Sequence, residues 1–209
     1  MIKKCAQLVV SFSSLPVVCK MEIDGCKEIA CNSQVDFKSL ESLTLANISE
    51  YGNWFRQEFQ KVTCLSIRNV GFEQLLYLWQ NDICLEMPPQ RLQSFTFLRQ
   101  LRIENCSNLV SFHKVCFLSS LTRLEIRNCH ALTSLLEEMK HNNAHLEELI
   151  IEQCDSLTYI TKGQPPPSLK NLHVRNWSVY WMTKRKAVLL QCYTKRISTT
   201  TQAHIFSNN

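Results

Sequence analysis

The sequence predicts an α/β repeat solenoid, a stack of short coils whose strands line up as one parallel sheet. Three observations predict it. First, Leu98 to Leu109 and Leu121 to Leu132 both read L-x-x-L-x-I-x-N-C-x-x-L, and Leu146 to Leu157 repeats the phrase through Leu149, Ile151 and Cys154. Second, the phrase recurs at a near-constant interval: units starting at 98, 121, 146 and 169 lie 23, 25 and 23 residues apart. Third, the two central apolar residues of each phrase alternate with polar ones, which is the period of a strand with one buried face. A single such unit cannot bury its own apolar side, so it must stack on copies of itself. The predicted architecture is a curved horseshoe, with the parallel sheet on the concave side and a mostly irregular or short-helical convex side.

The elements follow in order. Met1-Ile2-Lys3-Lys4 before the apolar stretch from Cys5 to Val18 has the outline of a secretory signal. However, Ile2, Cys5 and Leu8 overlay Ile103, Cys106 and Leu109, and Val10-Ser11-Phe12 overlays Val110-Ser111-Phe112, so a partial first repeat is the preferred reading. Full units then start near 18 (Val18, Met21, Ile23, Cys26), 40 (Leu40, Leu43, Leu45, Ile48) and 62 (Val62, Leu65, Ile67, Val70), spaced by 22. The next step, from 62 to 98, is 36 residues, so 71–97 must hold a degenerate repeat or a loop; it contains Trp79 and Pro88-Pro89. Units at 98, 121, 146 and 169 complete a repeat region over 1–177. From Ser178 the period stops, and 178–209 reads as a basic, poorly ordered extension. The unfinished first repeat and aperiodic tail suggest a fragment of something larger.

Charge separates body from tail. Five of the 23 cations and none of the 18 acids fall in 178–209, which leaves 18 of each sign in the preceding 177 residues. A neutral body lacks the basic stripe that meets phosphates, so nucleic acid is not an expected partner. No apolar run approaches the roughly 18 residues of a membrane-spanning helix, so no membrane span is expected. Eleven cysteines, an odd number with no C-x-x-C pair, fit neither a zinc site nor a disulfide framework, which points to free thiols in a reducing compartment.

At the level of family, the chain over roughly 1–177 resembles the leucine-rich repeats, on the recurring L-x-x-L-x-I-x-x-C phrase. More narrowly, Leu40 to Ile48 followed by Trp54, Leu132-Thr133-Ser134-Leu135 and Pro167-Ser168-Leu169-Lys170-Asn171-Leu172 resemble repeats of plant nucleotide-binding leucine-rich-repeat disease resistance proteins. That resemblance implies the sensor and autoinhibitory part of a cytoplasmic immune receptor, a non-enzyme whose partners are proteins: a pathogen effector, a guarded host protein, or the receptor's own nucleotide-binding domain. The chain has no G-x-x-x-x-G-K-[ST] loop, so it is not the ATPase part. The alternative is the leucine-rich-repeat substrate receptor of a ubiquitin ligase, although the Ile-Thr-Asp element usual after the Cys of those repeats is missing. The Gly-x-Ile-Pro element of secreted plant receptors is missing too.

The outward strand positions are where a partner should bind. They name Arg102, Arg123, Glu125, Arg127, Glu148, Ile150, Glu152, His173 and Arg175 as candidates, with Ile150 the one exposed apolar member. If the strands stack in register about 4.8 Å apart, Glu104, Arg127, Glu152 and Arg175 form a ladder of alternating sign, with Arg123 and Glu148 as a further rung. Cys5, Cys26, Cys106, Cys129 and Cys154 occupy one turn position and are read as small buried side chains bonding the turn backbone. His141 and His145 could share a helix face but lack a third ligand. No catalytic constellation, metal site, cofactor or small-molecule substrate is expected.

Overall fold

In the computed structural model, the residues described are 1–4, 7–10, 18–31, 37–49, 59, 61–70, 97–110, 120–136, 145–161, 166–175 and 205–206. Cys5, Trp54, residues 71–96, His141 and the basic cluster at 184–186 lie outside them. The chain divides into two compact units, 1–103 and 104–209.

Unit 1 carries β1 (Ile2–Lys3), β2 (Gln7–Val10), β3 (Lys20–Asp24), β4 (Glu28–Cys31), β5 (Ser42–Ala46) and β6 (Cys64–Arg68). β7 (Gln100–Glu104) lies at the division. Strands β1, β3, β5, β6 and β7 are successive neighbours in the sheet. The pairing is parallel and steps by one repeat: Ile2 sits beside Ile23, Ile23 beside Leu45, and Leu45 beside Ile67. Unit 2 carries β8 (Arg123–Arg127), β9 (Ser134–Leu136), β10 (Glu148–Glu152), β11 (Tyr159–Thr161), β12 (Asn171–Arg175) and β13 (Ile205–Phe206). Its parallel order is β8, β10, β12, β13, with Leu124, Leu149 and Leu172 in one row and Ile126, Ile151 and Val174 in the next. Inside the stretch expected to be an unordered extension, Ile205 and Phe206 pair with Val174 and Arg175.

The alternation seen in the sequence sets the core. Leu43, Leu45, Leu65 and Ile67 in unit 1, and Leu124, Ile126, Leu149 and Ile151 in unit 2, are all at most 2% exposed. Each such side chain contributes about 1.5–3 kcal/mol of burial. Unit 1 adds Phe37 stacked on Phe59, ring centroids 5.1 Å apart, three residues before Leu40 and Val62. No helix occurs among the described residues. Where short helices were an option on the return path, the structure has short parallel pairs instead, β2 with β4 and β9 with β11.

One residue past β1, β3, β5, β6, β7, β8 and β10, the chain turns through the left-handed region: Lys4, Gly25, Asn47, Asn69, Asn105, Asn128 and Gln153 all have φ between 52° and 71°. Asn recurs there because its short polar side chain tolerates that conformation better than most residues with a Cβ. Their side-chain amides also donate to the neighbouring repeat. Asn69 Nδ2 donates to Asn47 Oδ1 at 2.9 Å, Asn47 Nδ2 to Asp24 Oδ1 at 2.5 Å, and Asn128 Nδ2 to Asn105 Oδ1 at 2.7 Å.

The buried cysteines complete the turn. The Arg127 carbonyl accepts from the Asn105 amide at 3.0 Å and the Cys129 thiol at 3.4 Å; the Glu152 carbonyl accepts from the Asn128 amide at 2.9 Å and the Cys154 thiol at 3.5 Å. Each carbonyl thus accepts two hydrogen bonds within the protein. Cys106 donates likewise to the Glu104 carbonyl at 3.6 Å. Burial pushes the Cys154 thiol up to about 11, and a hydrogen bond with Cys106 together with burial pushes Cys129 up as well.

Candidate partner-binding face

The strand register brings eight of the nine candidate residues together on the outward face of unit 2. β8 contributes Arg123, Glu125 and Arg127, β10 contributes Glu148, Ile150 and Glu152, and β12 contributes His173 and Arg175. Arg102, the ninth, stands half-buried on β7 in unit 1. Alternation along each strand sends these side chains out while Leu and Ile go in, and the register sets Arg123 beside Glu148 and Arg127 beside Glu152.

Those two rungs form. Arg123 Nη1 reaches Glu148 Oε2 at 2.6 Å, and Arg127 Nη1 reaches Glu152 Oε2 at 3.1 Å. Arg175 Nη1 approaches Glu152 Oε1 at 4.0 Å, and His173 Nε2 approaches Glu148 Oε1 at 3.9 Å. Sequence reasoning missed the ion pairs that run along a strand: Glu125 lies against Arg127 Nε and also meets Arg123 Nη2 at 3.5 Å. Residues two apart on a strand share a face, so the run Arg-x-Glu-x-Arg at 123–127 was the available signal.

Two expectations change. Ile150 was expected to be exposed, but it is 7% exposed and belongs with the buried residues. Its neighbours in register are Glu125 and His173, and Glu148 and Glu152 flank it along β10, so longer side chains cover it. Ile150→Asp would bury a charge among three carboxylates. Glu125 is equally buried at 7%, and the two arginines beside it are what allow a charge there.

Unit 1 presents a different face. Ser42, Thr44, Ala46, Cys64 and Ser66 occupy its outward positions on β5 and β6. Arg68 Nη2 crosses the short Thr44 and Ala46 side chains of β5 to reach Glu22 Oε1 on β3 at 2.9 Å. On the turns, His130 Nδ1 lies 3.1 Å from Asp155 Oδ2, and Lys170 Nζ lies 2.8 Å from Glu147 Oε1. Among the described residues, no three His, Cys, Asp or Glu side chains converge as a metal site would require. No helix of the described residues is long and apolar enough to cross a membrane.

The chain is similar to a putative disease resistance protein of Arabidopsis thaliana, 32% identical over 89 residues. The matched stretch covers 43% of this chain and 6% of that protein, so the chain spans only a small part of its curated relative. No protein-family model matches the chain, and no solved structure does.

Proposed function

We propose that the chain is a non-catalytic protein-recognition module of a plant immune receptor, acting in the cytoplasm, where it binds an effector or host protein and restrains the receptor's nucleotide-binding domain. The observation that carries the reading is the combination of a parallel repeat solenoid with a partial likeness to a disease resistance protein. Physically, a row of short parallel strands offers a broad outward surface whose residues can vary without touching the core, which suits recognition of another protein. Chemistry by contrast needs a concave pocket with converging titratable groups, and the charged residues of β8, β10 and β12 pair with one another across a sheet face.

The experiment is co-precipitation of the full chain with the nucleotide-binding region of a plant resistance receptor, with and without Arg123→Glu. Association that weakens in the variant is the expected result. Failure of the unaltered chain to associate with that region or with any effector tested beside it would count against the proposal.

A further inference from the structure

The charges on the strand face of unit 2 are layered by height. The side chains of Arg123, Arg127 and Arg175 keep 38, 32 and 53% of their area exposed, whereas Glu125, Glu148 and Glu152 keep 9, 24 and 18%. Three positive and three negative groups cancel formally. An approaching surface nevertheless meets guanidinium first and carboxylate second. In unit 1 the corresponding pair shows no such order, with Arg68 at 36% and Glu22 at 35%.

The lower carboxylates also hold the arginines in place. Arg123 is tied through Nη1 and Nη2, and Arg127 through Nε and Nη1. A guanidinium carries five N–H donors in a planar fork, more than two single-oxygen contacts consume. Because these forks are already fixed, a partner does not have to order them on binding. The floor between them is Ile150, an apolar side chain only 7% exposed.

We propose that this face, with Arg123, Arg127 and Arg175 around Ile150, docks a carboxylate-rich segment of a protein partner. The proposal rests on the recognition reading above and adds the partner's chemistry. A singly charged carboxylate matches a guanidinium fork. A phosphate backbone is bound chiefly through a long basic stripe, which the balanced body lacks.

The test titrates fluorescent decaglutamate into the full chain, with decalysine and a single-stranded oligothymidylate as comparators. Arg175→Glu is the chief variant, because Arg175 is the most exposed of the three and its pair with Glu152 is the longest. A second variant replaces the tail cluster (Lys184→Ser, Arg185→Ser, Lys186→Ser), and circular dichroism confirms that each variant folds. Decaglutamate should bind more tightly than decalysine, weaken with salt, lose at least about tenfold in affinity with Arg175→Glu, and be indifferent to the tail variant. Unchanged binding in Arg175→Glu, binding abolished by the tail variant alone, or oligothymidylate held more tightly through Arg175 would each overturn it. If decaglutamate fails to bind while Arg175→Glu still disrupts association with the receptor's nucleotide-binding region, the acidic partner is overturned and the recognition reading stands; if both fail, both fall.

Discussion

Units 1 and 2 share one inner plan and carry two different outer faces. Inward, Leu43 and Leu45 in one and Leu149 and Ile151 in the other occupy equivalent rows of a parallel sheet. Outward, β5 and β6 of unit 1 show small residues crossed by the half-exposed Arg68–Glu22 pair, while unit 2 shows a charge network with a buried glutamate at its centre. The turn position differs too: unit 1 uses Cys26, Ile48 and Val70, whereas unit 2 uses Cys106, Cys129 and Cys154. The difference teaches that the fold constrains the inward pair and the left-handed turn. Outward residues are left to selection for something else, and the unit with the more elaborate surface is the better place to look for function.

If the inner plans are equivalent, cutting them should hurt equally. Leu45→Ala and Leu149→Ala each remove a side chain that is at most 1% exposed, and each should cost about 2–5 kcal/mol in urea unfolding. A cost well under 1 kcal/mol in one unit alone would break the equivalence of the cores.

The turns should respond differently to alkali. Cys154 ionises near 11 in the folded chain, against an ordinary value of 9.0, because burial disfavours the thiolate. The unfolded chain therefore loses that proton first, and the stability due to the buried thiol, complete below about pH 9, is lost as pH rises toward 11. Two units of difference correspond to about 2–3 kcal/mol, and Cys129 shifts in the same direction. Urea midpoints measured from pH 8.5 to 11 should fall, and Cys154→Val, which copies Val70 of unit 1, should flatten part of that fall. An unaltered slope would mean that the thiol does not titrate with unfolding. At neutral pH, iodoacetamide should modify exposed Cys19 of the native chain and leave Cys106, Cys129 and Cys154 untouched.

The outer faces should separate next. Glu125→Gln leaves two arginines facing a neutral amide at a buried position and should cost about 1–2 kcal/mol. Glu22→Gln breaks a half-exposed pair and should cost about 0–1 kcal/mol, less at high salt. Equal effects would show that the network in unit 2 is ordinary surface chemistry.

Much of this arrangement was legible in the sequence, for a physical reason. The period of two within a strand and of 22 to 25 between strands fixes inward rows and neighbours, so the Arg123–Glu148 and Arg127–Glu152 rungs followed from counting alone. What counting could not deliver was height and reach. The exposure of Ile150 depends on how long its neighbours are and how they lean, and Arg68 skipped a strand because Thr44 and Ala46 are short. Strand pairs such as β9 with β11 were hidden as well. Three-residue strands carry too few alternations to declare a period, and backbone bonds from Thr133 to Val110 and from Thr158 to Thr133 align the chain just ahead of them.

The finest contrast lies in the left-handed turn. In unit 1 the side-chain ladder runs without a break from Asn69 through Asn47 to Asp24; in unit 2 it runs from Asn128 to Asn105, and the next residue in line is Gln153, also at positive φ. Glutamine's longer side chain gives it less local compensation in that conformation than asparagine has. Gln153→Asn should relieve the backbone and place an amide where it can donate to Asn128 Oδ1, extending the ladder by one repeat. The expected gain is about 0.5 kcal/mol, in the range of other substitutions that suit a residue to its backbone, and it should survive high salt because no net charge is involved. The same replacement at Lys4, which has φ of 53° before Gly25, would remove a cation and so test a different quantity. Unchanged stability in Gln153→Asn would mean that the turn is held by the backbone bond from Gln153 N–H to the Arg175 carbonyl, at 3.1 Å, with the side chain immaterial.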